Sequence, residues 1–284
     1  MTKQWTPSVA TIAVVIPSGS SERNESLQRL IEDIRAQSVG PVELEIVKGV
    51  SPNGKARNLG VARTNGEILV FLDDDVRLGA NDLIEKLAQA LQEPGVGLVG
   101  TAQLLPPDSS NFQRQCAEQI SRSQSPIVEV LTDSDMVTTQ CCAIRREVLN
   151  EVGGFHNQIL RGVDPELRHR VREAGYRIAV VAGIWHFHPM PKNLSALCRM
   201  AWRNGHASAF AQRRFPETVI FNPEGHVAEF DSHPPLHRRL GRRISELVGR
   251  VFGGAFYGVF YDLCYALGYF RQILEPLPPA SQKT

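Results

Sequence analysis

Three consecutive carboxylates, Asp73, Asp74 and Asp75, follow the apolar run ILVFL at residues 68–72. An apolar run of this length behind the Asn65-Gly66 turn signal reads as a buried strand. A strand buried on both faces that ends in acids delivers them to the carboxyl edge of a sheet, where open α/β folds bind ligands. Bare carboxylates so close together repel one another. A hard divalent cation relieves that repulsion, and Mg²⁺ characteristically takes one or two carboxylates plus the phosphate oxygens of a substrate. Metal-assisted chemistry on a diphosphate is one reading of the three aspartates; a solvated acidic turn is the other. Two further places carry chemistry-bearing side chains. Asp164 precedes Pro165, where a carboxylate either caps a helix or stands free for acid–base work. His186 and His188 sit in the run WHFH, where alternation on an extended segment points the two rings to opposite sides.

Strands and helices alternate around these residues. Strands are expected at 12–16, 42–47, 68–72, 138–144 and 177–182, each an apolar or β-branched run. Helices are expected from 24 to about 37, at 56–62, 82–91, 148–155, 165–174 and 194–214. Leu27, Leu30, Ile31 and Ile34 form the apolar stripe of the first. Pro165 suits the opening of the fifth helix and Gly175 its end. The alternation implies βαβ units and an α/β, Rossmann-like, mostly parallel sheet flanked by helices. The stretch 103–135 is polar and irregular, suited to lining an acceptor groove.

The chain has 284 residues, 42% hydrophobic and 21% charged, as expected of a soluble globular protein with one large domain or two smaller ones. A net charge of +1 argues against a nucleic-acid partner, which would call for a basic excess. The five cysteines are odd in number and form no CxxC pair, which suits reduced thiols in a cytoplasmic protein. The N-terminal apolar stretch is too short for a secretory leader.

Four segments together resemble the family-2 glycosyltransferases of the GT-A fold: IPSGSSERNESL (16–27), GKARNLGVARTNGEILVFLDDDV (54–76), GGFHNQILRGVDPELRHRVREAGYRI (153–178) and WHFHPMPKNLSALCRMAWRNGHASA (185–209). The resemblance implies an enzyme that moves a sugar, a hexose, from a nucleotide-sugar donor to an acceptor hydroxyl, with inversion, in polysaccharide or glycolipid synthesis. It implies a DxD motif whose outer pair is Asp73 and Asp75, with Asp75 on a Mn²⁺ or Mg²⁺ ion and Asp73 or Asp74 on the ribose. Asp164 then matches the general base, with Glu166 the weaker candidate. The position before it, usually Glu in the family, is Val163 here. A histidine after the following strand completes the metal site, and His186 is expected there ahead of His188. Lys55, Arg57 and Asn58 match a segment near the nucleotide, and Pro17 and Glu22 a donor loop. The family's aspartate after the second strand is missing, since this chain reads IVKGVSPNG. Two rivals remain open: a nucleotidyltransferase, and a degenerate member that binds a sugar nucleotide without turnover.

The resemblance covers residues 10 to 215, so a catalytic domain at 1–216 and a C-terminal amphipathic helical tail at 217–284 are expected. The tail opens with the basic cluster HRRLGRR (237–243), followed by apolar residues at helical spacing from Ile244 to Phe270. This pattern suits a helix lying in a membrane interface at the inner face, next to a lipid-linked or saccharide acceptor. It suits equally a helix packed onto protein.

Overall fold

The computed structural model describes residues 10–19, 24–39, 43–221, 227, 230 and 235–277. The first half follows the expected alternation: β1 (Ile12–Ser18), α1 (Asn24–Arg35), β2 (Glu43–Lys48), α2 (Asn53–Ala62), β3 (Ile68–Leu72), the short β4 (Arg77–Leu78) and α3 (Leu83–Ala90). The second half contains β5 (Val96–Leu104), α4 (Asn111–Gln119), β6 (Thr132–Asp133), β7 (Cys141–Arg145), α5 (Arg146–Glu151), α6 (Val163–Glu173), β8 (Arg177–Phe187) and α7 (Leu194–Arg214). After a 3-10 turn at Pro216–Thr218 come α8 (Leu236–Phe252) and α9 (Phe256–Leu274).

Period-two alternation places a core on each face of the sheet. Val14 and Ile16 of β1 and Val70 and Leu72 of β3 pack with Leu30 of α1 and Leu87 of α3. Ala13, Val15, Leu69 and Phe71 point the other way, against Phe155, Leu167 and Val171. Both faces of β3 are therefore anchored, which fixes the point where Asp73 leaves the sheet.

The strand order is β2-β1-β3-β7-β5-β8-β4, with β6 paired to β8. Its longer strands other than β7 run in one direction, so the sheet is mostly parallel with antiparallel insertions. β1 runs parallel to β2 and β3, and β5 parallel to β8. β7 lies antiparallel to both neighbours, β3 and β5, and β4 and β6 are antiparallel to β8. Local sequence patterning carries no information on strand direction, so the reversal of β7 is a tertiary fact. Its consequence is positional: the entry to β7 and the exit of β3 meet at one edge.

Several elements also differ from expectation: α4 and β6 lie inside the stretch expected to be irregular, and α5 spans 146–151 rather than 148–155. β5 falls on a glycine-rich stretch that hides a strand's usual signature, because its neighbours occupy the side-chain space. A Cβ on Gly97 would meet Tyr176 at 2.7 Å, and one on Gly100 would meet Val137 at 2.8 Å. β8 runs on to Phe187, past the expected end at 182, so His186 lies within the strand.

The tail is not detached from the rest. α9 packs lengthwise on α7 with backbone touching backbone: a Cβ on Gly205 would stand 1.9 Å from the Tyr265 carbonyl oxygen, and one on Gly268 2.1 Å from that of Trp202. Asn204 donates to the Tyr261 hydroxyl at 2.9 Å, and Tyr269 donates to Gln212. The Gln119 side chain of α4 accepts from the backbone amides of Tyr257 and Gly258 at the start of α9.

Candidate active site

The ends of four elements meet at the carboxyl edge of β3. The Asp73 amide donates to the Gln140 carbonyl at 2.9 Å, tying the aspartate turn to the chain entering β7. The Asp73 carboxylate pairs with Arg57 of α2, whose Nη2 lies 2.7 Å from Oδ1. Arg57 is only 2% exposed and sits over the Phe155 ring, 5.5 Å from its centroid. A guanidinium so enclosed serves Asp73 and the Thr139 carbonyl rather than reaching out to a ligand. Burial pushes the Asp73 carboxyl up to about 6. Arg57 and His188 oppose that rise, while Asp75 and Asp164 add to it by repulsion. Asp75, Asp164 and His188 all stand near enough to Asp73 to act on its charge. Asp74 lies between Asp73 and Asp75 in the chain and is buried.

Asp164 is in the first turn of α6, and Gly162 holds the cap position in the left-handed conformation at φ 81°. The carboxylate is therefore not at the cap position. Its Oδ1 instead accepts the Thr139 hydroxyl. Thr139 therefore joins the two sides of the site: its hydroxyl holds Asp164, and its carbonyl holds the arginine that holds Asp73. Nothing in the residue pattern marks this role, since a threonine at a strand entry is ordinary. Glu166 is turned away into a bidentate pair with Arg170, at 2.6 and 2.7 Å.

The two histidines part as alternation demands, but in the opposite sense to the one expected. His186, paired in register with both Gln103 and Leu78, is 1% exposed. Its Nδ1 lies 2.7 Å from the Thr101 hydroxyl, and burial, reinforced by the charge on His188, lowers its pKa to about 3. His188 is the first residue past the strand and stands beside the aspartates, its Nε2 3.6 Å from Asp75 Oδ1. Had the strand been extended to 187, its buried register would have marked His186 as the inward ring.

The remaining expected residues divide. Asn58 clamps the chain after α5, donating to the Phe155 carbonyl at 2.8 Å and accepting its amide at 2.9 Å. Lys55 is exposed on α2, and Pro17 is buried in β1 opposite Val47. Glu22 lies outside the described residues. Among the described residues no three His, Cys, Asp or Glu side chains form a metal cage by themselves.

Residues 7–207 match the sequence profile of the family described as glycosyltransferase like family 2. The O-antigen chain rhamnosyltransferase RfbN of Salmonella typhimurium is 25% identical over 177 residues, 60% of this chain and 54% of that protein. Glycosyltransferase AglE of Haloferax volcanii is 25% identical over 193 residues, 66% of this chain and 60% of that protein. The chain thus spans little more than half the length of these curated relatives. Among solved structures, the mannosyltransferase PcManGT from Pyrobaculum calidifontis, in complex with GDP-Man and Mn²⁺, superposes with a TM-score of 0.57. That match covers 92% of this chain and 88% of the other at 16% identity, a likeness of fold. With its profile running through the aspartate turn, α6 and the end of β8, this chain belongs to glycosyltransferase like family 2 and has a GT-A fold.

Proposed function

We propose that the protein transfers a hexosyl group from a nucleotide-sugar to an acceptor hydroxyl, with inversion and with a divalent cation, in the synthesis of a glycan or glycolipid. The observation that carries this reading is the meeting of Asp75 and His188 on one side of Thr139 with Asp164 on the other. Asp75 and His188 would hold the cation. They stand 3.6 Å apart, and a two-donor set suits Mg²⁺ or Mn²⁺, which fills its remaining positions with diphosphate oxygens and water. The bound ion would supply charge stabilisation for the diphosphate leaving group. PcManGT, in complex with GDP-Man and Mn²⁺, and RfbN, named for rhamnosyl transfer, support a sugar-nucleotide donor and a hexosyl type.

The chain's own groups do the rest. Arg57 fixes Asp73 so that its carboxylate projects at the donor edge, and Thr139 orients Asp164 by taking up Oδ1. The second oxygen of Asp164 is left to accept the proton of the incoming hydroxyl as it attacks the anomeric carbon. One displacement with one base inverts the configuration. The acceptor is a saccharide, free or carried on a lipid.

The test is a pair of variants against a panel of nucleotide-sugars. Asp75→Asn should abolish Mn²⁺-dependent donor binding by calorimetry. Asp164→Asn should keep donor affinity and lower transfer by roughly 10²–10⁴-fold, the usual share of base catalysis. Donor binding indifferent to Mn²⁺ in the wild type would refute the metal assignment, and near-normal transfer by Asp164→Asn would refute the base.

A further inference from the structure

The strongest feature outside the active site is the outer face of the two C-terminal helices. Gly258, Tyr261, Tyr265, Gly268 and Gln272 of α9 fall on one side and turn toward α7, α4 and the rest of the fold. Phe256, Leu263, Leu267, Phe270 and Leu274 recur at intervals of three, four and seven on the opposite side, and all are exposed, Leu274 at 81%. α8 repeats the pattern with Ile244, Leu247, Val248, Val251 and Phe252, again exposed, Phe252 at 88%. The two stripes are joined through the turn at 253–255, where Phe252 and Phe256 flank three small residues. Scattered apolar residues on a surface are normal, but a contiguous strip along two helices marks a contact surface.

Charge says what kind of contact. The sequence of α8 holds five arginines, at 238, 239, 242, 243 and 250, against the single acid Glu246, in a chain whose total charge is only +1. Arg250 pairs with Asp262 of α9, and Arg238 is exposed at the helix start. No described helix is long and apolar enough to cross a membrane. An apolar stripe on a strongly basic helix, too charged to span, matches an interface of acyl chains below and anionic head groups beside them. A second copy of the chain would instead set two arginine-rich helices against one another, which like-charge repulsion opposes.

We propose that the outer face of α8 and α9 docks the protein on an anionic lipid bilayer, lying in the interface plane. Attraction to head groups weakens with salt, whereas burial of Phe252, Phe256 and Phe270 does not. The full chain should therefore sediment with phosphatidylcholine–phosphatidylglycerol vesicles, less at high salt but measurably still, and poorly with phosphatidylcholine alone. Arg238→Ala should weaken vesicle binding by about 5-fold, the share of one basic residue at an anionic surface. Phe252→Asp with Phe256→Asp should abolish it, while leaving the circular dichroism spectrum and Mn²⁺-dependent donor binding unchanged, because both side chains are exposed and neither is among the side chains of the site. No sedimentation with the anionic vesicles overturns the proposal. So does a salt-independent dimer by analytical ultracentrifugation that is broken by the same two substitutions.

Discussion

Thr139 is the residue on which both halves of the site depend, although it carries no charge. Losing a hydrogen bond to a charged group costs about 1.5–3 kcal/mol, equivalent to roughly 10–100-fold. Thr139→Val should therefore lower kcat by that factor with the donor Kd unchanged, and Thr139→Ser should restore it; a Val variant at wild-type kcat would reduce Thr139 to packing. The histidines make a second pair of opposites. His188→Ala should weaken Mn²⁺-dependent donor binding and leave stability alone. His186→Ala should do the reverse, costing about 2–4 kcal/mol in urea unfolding through the cavity and the lost Thr101 contact. Equal effects of the two on donor binding would undo the assignment. At this scale the sequence showed the acids plainly, because three aspartates behind ILVFL and one before Pro165 are conspicuous. It could not rank the histidines, because their ranking depends on where β8 stops.

Elements were legible where the apolar pattern is plain, as a stripe along a helix or an unbroken run in a buried strand. The stripe of α1, the runs of β1 and β3 and the span of α7 lie close to their expected bounds. β5 was invisible, since Gly97 and Gly100 are chosen by Tyr176 and Val137 rather than by strand propensity. Glycines also decide the contact of α7 with α9, and the same substitution should change sign between two sites. Gly205→Ala drives a methyl group into the backbone of α9 and should destabilise by about 1–3 kcal/mol, as overpacking does. Gly249→Ala in α8 meets nothing within 4 Å and should stabilise by about 0.5–1 kcal/mol through helix propensity. Thermal melts of the two single variants decide it, and destabilisation by both would mean that α8 is covered.

Across the whole molecule, the helices after residue 216 close the fold as well as extend it. α9 covers α7 and reaches α4 through Phe112 and Tyr257, whose rings stand 4.9 Å apart edge to face. A chain ended near Pro216 should therefore lose about 5 kcal/mol or more of apolar burial, and melt roughly 10–20 °C lower. An unchanged melting temperature would show that the tail is an appendage. The reversed direction of β7 carries a different kind of consequence. β5 leaves the sheet after Leu104 and β7 returns at Cys141, both at the edge where β3 releases its aspartates. The excursion at 105–140 stands with both feet at the working edge, pinned by Ser125 to Gln103 at one end and by Arg168 to Val137 at the other. It is a span hung from two fixed piers. A change of length at its exposed Glu129 and Val130 should leave both piers, the aspartate turn and α6 where they stand.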